Sequence, residues 1–231
     1  MKGLAGCFAA VALALLARAA PAQTAGDVLA AYERAVTLVP TPKFVRFEYS
    51  VEQFGPRNLS QTHRIYRSGL MQRDEILVVD GTTLKHPTIR IIRDRSDRYA
   101  VENVAPRTTA YAFTYVGTVG RGAGLGYAFD VTPLRASAFA VRRVTIDARR
   151  FLPTAIAFAT TAGRVRGEGR LLYGAFGRYW LVREATVTTK IADRNARERI
   201  AWSKYAFPAN LPASTFAQPH PLATFTPQPR L

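Results

Sequence analysis

Two hydrophobic periods divide the chain. From Thr24 to Val39 (TAGDVLAAYERAVTLV), the apolar residues Val28, Leu29, Tyr32, Ala35, Val36 and Val39 share one stripe at helical spacing. Thr24 followed three residues later by Asp27 is a helix start signal, and Pro40 and Pro42 end the pattern. From Phe44 the period falls to two: Val45, Phe47, Tyr49 and Val51 alternate with Arg46, Glu48, Ser50 and Glu52. One face is apolar and the other charged, as in a half-buried antiparallel strand.

Comparable strand patterns follow at residues 61–67, 70–80, 83–92 and 99–104. After a break they resume at 139–147, 153–160, 170–173, 179–191 and 197–207. About ten strands and one amphipathic helix are therefore expected. In the last strand the apolar phase moves from Ile200 and Trp202 to Tyr205 and Phe207, which predicts a β-bulge near Ser203 and a curved sheet. The break, residues 105–135, contains Tyr111, Phe113 and Tyr115, then GTVGRGAGLG from Gly117. Glycine this dense reads either as a lid or binding loop or as an irregular excursion. The end, residues 217–231, is proline-rich and expected to be an extended tail.

Candidate chemistry is sparse. The stretch SGLMQRDEILVVDGTTLK contains Asp74, Glu75 and Asp80, but Asp80-Gly81 between two apolar runs signals a tight hairpin turn. Asp74 and Glu75 are neighbours in a strand and point to opposite faces, so they cannot act as a pair. The glycine-rich stretch matches neither a dinucleotide fingerprint nor a phosphate loop, and there is no G-x-S-x-G elbow. His63, His86 and His220 are far apart: His63 sits at a polar strand position read as solvated, and the other two lie next to prolines. No catalytic residue, metal site or cofactor is expected, and the chain does not read as an enzyme.

The first residues, MKGLAGCFAAVALALLARAAPAQ, have the form of a secretory signal peptide. A basic start is followed by an apolar run and by Ala20-Pro21-Ala22, with cleavage after about Ala22. Cys7 precedes the apolar run, the wrong order for lipidation. As the sole cysteine, it leaves residues 23–231 with no disulfide and no thiolate. The expected organisation is a leader at 1–22, one domain at 23–216 and the tail at 217–231, with a periplasmic or otherwise exported location. The formal net charge is +16. Such a field favours anionic partners, and export favours a membrane surface over nucleic acid. The basic residues are nearly all arginine and are scattered singly along strands, so the excess reads equally as a compositional bias.

Several of these segments carry a family resemblance. ILVVDGTTLK (Ile76 to Lys85), preceded by Arg67-Ser68-Gly69-Leu70-Met71, resembles the matching hairpin of LolA-type periplasmic lipoprotein carriers, the outer-membrane lipoprotein-sorting superfamily. The ending TKIADRNARERIAWSKYAFPANLPASTF is similar to that family's ending, through Tyr205, Phe207, Asn210, Leu211, Pro212 and Phe216. Thr145-Ile146-Asp147 followed by Leu152-Pro153 is similar to a central strand pair of wider members. The order of elements matches over most of residues 23–216.

The resemblance implies a mainly β (α+β) fold. It is a strongly curved antiparallel sheet forming an incomplete β-barrel, covered by the N-terminal helix and a lid segment. It also implies a carrier or binding protein that holds lipid or lipoprotein acyl chains in an apolar cavity on the concave face. Val45, Phe47, Tyr49, Val51, Ile156, Phe158, Val187 and Trp202 are the expected lining residues, although such residues equally make plain sheet-to-helix core. Arg67 falls where the carriers have an arginine that latches the lid through backbone hydrogen bonds; the alternative is an ordinary arginine at a strand edge. A second function of the same fold is a non-enzymatic envelope-stress sensor that binds a membrane-anchored protein. The expected partners are therefore acyl chains, an anionic membrane surface or a membrane-anchored protein, and no nucleic acid.

Overall fold

The computed structural model of the protein describes residues 23–55, 58–93, 97–162, 165–191 and 194–217. The expected leader, and all of the expected tail but Ala217, lie outside these residues. Helix α1 spans Ala25–Leu38. Thr24 caps it by accepting from the Asp27 amide while the Asp27 carboxylate accepts from the Thr24 amide, a reciprocal pair that satisfies two otherwise unbonded donors.

Eleven strands follow: β1 (Phe44–Phe54), β2 (Leu59–Ser68), β3 (Met71–Val79), β4 (Thr82–Ile92), β5 (Tyr111–Val119), β6 (Gly126–Pro133), β7 (Phe139–Asp147), β8 (Pro153–Ala162), β9 (Val165–Phe176), β10 (Tyr179–Ile191) and β11 (Arg194–Ala206). They form one open antiparallel sheet in the order β4-β3-β2-β1-β11-β10-β9-β8-β7-β6-β5. Every chain neighbour is also a sheet neighbour except β4 and β5, which are the two edges. The link between them must therefore cross the whole sheet, and it crosses on the concave face. A four-residue helix, α2 (Val101–Val104), lies within it.

Residues 99–104, expected as a strand, are thus a turn and a helix. Val101, Val104 and Ala105 recur at helical spacing, and Pro106 stops the turn from lengthening. The expected break at 105–135 is instead largely the β5–β6 hairpin. Tyr111, Phe113 and Tyr115 alternate as a strand should, but the surrounding glycines mask the pattern. Strand β9 is longer than expected for the same reason: Gly167, Gly169 and Gly174 lie within it, and glycine is depleted from strands.

The expected bulge is present. Glu48 pairs with Ser203 and Arg46 with Ala206, so β11 carries one extra residue there, next to Lys204 at φ 52°. Further register shifts lie in the β2–β3, β3–β4, β5–β6, β7–β8 and β9–β10 pairs. Bulges add bend and twist, which curve the sheet into an incomplete barrel. The Asp80-Gly81 turn has positive φ at both residues, 47° and 79°, as a two-residue hairpin of the mirror type requires.

Helix α1 covers the β6–β10 half of the concave face. Val28, Tyr32 and Val36 are fully buried with Phe129, Val141, Val144, Ile146, Ile156 and Leu171. A smaller cluster, Val45, Phe47 and Ile65, packs with Tyr205 and Phe207 on the β1–β2 side. Gly169 sits opposite Phe158, and a Cβ there would lie 2.6 Å from the Phe158 ring and 2.5 Å from the Thr186 carbonyl oxygen. Gly169→Ala should lower stability by about 1–3 kcal/mol in urea unfolding, through overpacking. Gly124→Ala, which meets open space, should change it by less than about 0.5 kcal/mol.

Candidate functional site

The crossing link buries few apolar residues of its own, Val101, Ala105 and Pro106 among them, and polar contacts fix the rest of its path. Tyr99 N donates to Asp97 Oδ1 at 3.1 Å and Asn103 Nδ2 to the Asp97 carbonyl at 2.8 Å, which close the turn before α2. Three side chains from other elements then fasten the segment. The Arg67 guanidinium on β2 donates to Asp97 Oδ2 and, at 3.0 Å, to Gln72 Oε1. The Tyr173 hydroxyl on β9 donates to the Tyr99 carbonyl at 3.0 Å, and the Tyr32 hydroxyl on α1 to the Pro106 carbonyl at 2.8 Å. Burial raises both hydroxyls far above the ordinary tyrosine value, so they remain donors. Beyond Pro106, Arg107 grips Glu33 at 3.1 Å and Thr37 at 3.0 Å on the outer side of α1.

The link is narrower than the face it crosses. Two cavities remain beneath and beside it. The larger, about 410 Å³, is walled mainly by apolar side chains: Val45 and Phe47 from β1, Trp180 and Val182 from β10, Tyr205 from β11 and Val101 from α2. Residues 39–43 and Gly69-Leu70 form its rim. The smaller, about 170 Å³, combines Tyr49, Val51, Ile200 and Trp202 with the polar Gln72, Arg98 and Glu198. Phe47, Arg67, Asp97, Tyr99, Val182 and Tyr205 line both, so the Arg67–Asp97 bridge is part of the wall they share. Arg67 also lies over the Phe47 ring, 5.6 Å from its centroid. Its buried Nε has no hydrogen-bond partner among the described residues.

The expected lining residues separate into two groups. Val45, Phe47, Tyr49, Val51 and Trp202 line one or both cavities. Ile156 and Phe158 belong to the main packed core, Val187 packs against it, and none of the three lines either cavity. Arg67 fastens the crossing segment through the Asp97 side chain rather than through backbone groups. Val101, Trp180, Val182 and Tyr205 were not expected. Their only sequence signals are the apolar phase change at Tyr205 and the paired apolar residues around Trp180.

His63 is buried rather than solvated. Its Nδ1 lies 2.7 Å from Asp74 Oδ1, and its ring stacks on Tyr49 at 4.5 Å. It faces inward by plain alternation with Ile65, opposite Tyr49 on β1; the register shift beside it places the extra residue on β3. Asp74 and Glu75 do face opposite ways: Asp74 meets His63, whereas Glu75 meets Arg73 at 2.7 Å and Arg64 at 3.8 Å on the convex side. The carboxylates are structural ion-pair partners there, and among the described residues no cluster could hold a metal ion.

Glu48 anchors the convex side of β1. Burial would raise its carboxyl, but hydrogen bonds from Lys204 at 2.6 Å and Arg64 at 3.0 Å outweigh that effect and hold it below the ordinary value of 4.5. A depressed carboxylate stabilises the fold above the unfolded value and ceases to do so as pH falls through its lower folded value. Glu48→Gln should therefore flatten the fall in urea midpoint below about pH 4.5 and leave less stability at neutral pH. Arg67→Met should accelerate amide hydrogen exchange over residues 99–104 by about ten-fold to a hundred-fold, as expected from losing charge-assisted bonds of about 1.5–3 kcal/mol. Unchanged protection would mean that the bridge does not hold the segment.

No family model matches the chain, and no curated protein matches it. Among solved structures it is similar to a LolA superfamily protein from Nitrosomonas europaea, at 12% identity and TM-score 0.44, over 85% of this chain and 99% of that one. It is also similar to a putative outer membrane lipoprotein-sorting protein domain from Vibrio parahaemolyticus, at 11% identity and TM-score 0.47, over 81% and 95%. A DUF1329 family protein from Desulfovibrio piger shows 15% identity and TM-score 0.47, over 82% and 97%. These likenesses are of fold.

Proposed function

We propose that the protein is an exported carrier that holds an acyl chain of a lipid or lipoprotein in the larger cavity. The observation that carries this reading is an apolar space of about 410 Å³ under a narrow crossing segment, within the range of small-molecule sites. Val45 and Phe47 contact the chain there. Tyr49, Val51 and Trp202 extend the path into the smaller cavity when the Arg67–Asp97 bridge opens. Each methylene removed from water contributes about 0.8 kcal/mol, so capture needs no catalytic group. An ester or carboxyl oxygen of the ligand supplies the acceptor that Arg67 Nε lacks.

Release is the harder step, and the tethers suit it. The segment buries only Val101, Ala105 and Pro106 completely and is otherwise held by polar contacts, so a membrane or an acceptor protein that competes for Asp97 or Arg67 can loosen it. Among the described residues no helix is long and apolar enough to cross a membrane.

Uptake of a fluorescent fatty acid tests the proposal. The wild type should bind it, and Val45→Trp, which fills the cavity, should bind at least about ten-fold more weakly. No uptake by the wild type, or equal uptake by both, would remove the carrier reading. A stable complex with a membrane-anchored protein in place of lipid would favour the sensor reading.

A further inference from the structure

The convex face of β7–β11 remains outside the cavity reading. Outward positions on these strands hold eight exposed basic side chains: Arg142, Arg143, Arg166, Arg170, Arg183, Lys190, Arg197 and Arg199. The same face holds three acidic ones, Asp147, Glu168 and Glu184. Across the sheet the pattern differs. Arg64 and Arg73, on the convex side of β2 and β3, are each paired with a carboxylate. Here Arg143 is paired with Asp130 and Arg199 with Glu184, but Arg142, Arg170 and Arg183 have no ion-pair partner among the described residues. Solvated, uncompensated guanidinium groups standing together on one face create a positive field that an anionic partner relieves.

The surface between them is shaped. Strand β8 turns only Ala155, Ala157 and Ala159 outward in its middle, so the arginines of β7, β9 and β10 stand above a low floor. Two recesses result, of about 670 and 450 Å³, and Ala157 and Arg170 line both. The larger is bordered by Val119 and Leu125 at the β5–β6 hairpin tip, which are 40% and 37% exposed, and Val116 on the same hairpin is 51% exposed. A cationic face flanked by exposed aliphatic side chains matches a surface that meets phospholipid headgroups while the aliphatics enter the acyl boundary. Single-stranded nucleic acid would call for aromatic platforms. The outward side chains of the floor here are alanine, threonine and Leu172, and the two aromatic residues that border the recesses, Tyr173 and Phe158, are buried and present no stacking face.

We infer that this convex face, with the β5–β6 tip, docks the protein on an anionic phospholipid surface, Arg142, Arg170 and Arg183 receiving headgroup phosphates. This assignment is independent of what the concave cavity holds. Geometrically it leaves the crossing segment and the cavity on the side away from the docked face.

Flotation of the full chain with phosphatidylcholine vesicles, with and without phosphatidylglycerol, tests it. The wild type should float only with the anionic vesicles and should detach as salt is raised. Replacing Arg142, Arg170 and Arg183 together by serine should weaken partitioning by about a hundred-fold, since each basic residue near such a surface contributes about a five-fold factor. Replacing Arg34, Lys85 and Arg90 by serine makes the same change in net charge elsewhere on the surface and should weaken it far less. Leu125→Asp alone should also reduce flotation. All six substituted positions are exposed, so unchanged circular dichroism is expected of both triple variants. Absence of wild-type flotation, or an equal loss in the two triple variants, would overturn the assignment. So would binding to duplex DNA that the first triple variant loses while keeping its vesicle binding. Fatty-acid uptake measured on the same samples reports separately on the cavity.

Discussion

The strand order imposes one constraint on everything else: β4 and β5 follow each other in the chain but lie at opposite edges of the sheet. The link between them cannot be a hairpin and has to span the concave face. An open curved sheet with an apolar concave side also needs a cover, because buried aliphatic and aromatic surface is what drives its folding. Helix α1, fourteen residues long, covers one half. The crossing link covers the other half incompletely, and the cavities are the part it leaves uncovered.

The way the link is held follows from its composition. It brings Tyr99, Val101 and Val104 to the sheet but few other apolar side chains, so its position depends on directed polar bonds from Arg67, Tyr173 and Tyr32. Hydrogen bonds of this kind contribute about 0.5–1.5 kcal/mol each when neutral and about 1.5–3 kcal/mol when charged. A cover fastened by a few such bonds can be displaced without unfolding the sheet, which is the property a carrier requires. The sheet itself is stiffened on its convex side by side-chain pairs such as Glu48 with Arg64 and Lys204, and inside by the His63–Asp74 contact stacked on Tyr49.

Much of this was legible in the chain. Clean alternation marked β1, and the phase change at Tyr205 marked the bulge beside Lys204. Thr24 and Asp27 marked the helix start. Failures came where local pattern and tertiary need diverge. Residues 99–104, with Tyr99 and Val101 two apart, read locally as a strand, but their link cannot join the sheet while it crosses over it. Gly169 weakens the strand signal of β9 because the Phe158 ring needs the space of a side chain there. His63 looked solvated because the inward positions of β2, Gln61, His63, Ile65 and Arg67, hold one apolar residue among polar ones, so alternation does not mark that face as interior. Alternation tells which residues face inward but not which of them a cavity will reach. Ile156, Phe158 and Val187 face inward like Val45 and Phe47 but pack in or against the main core.

The central claim is that the uncovered part of the concave face is a site for acyl chains. The most direct measurement is mass spectrometry of an organic extract of the protein, purified without detergent after incubation with bacterial membranes. The account predicts a lipid at about one per protein molecule, a stoichiometry set by one apolar cavity of about 410 Å³. An extract free of lipid from protein whose circular dichroism shows an intact sheet would contradict it.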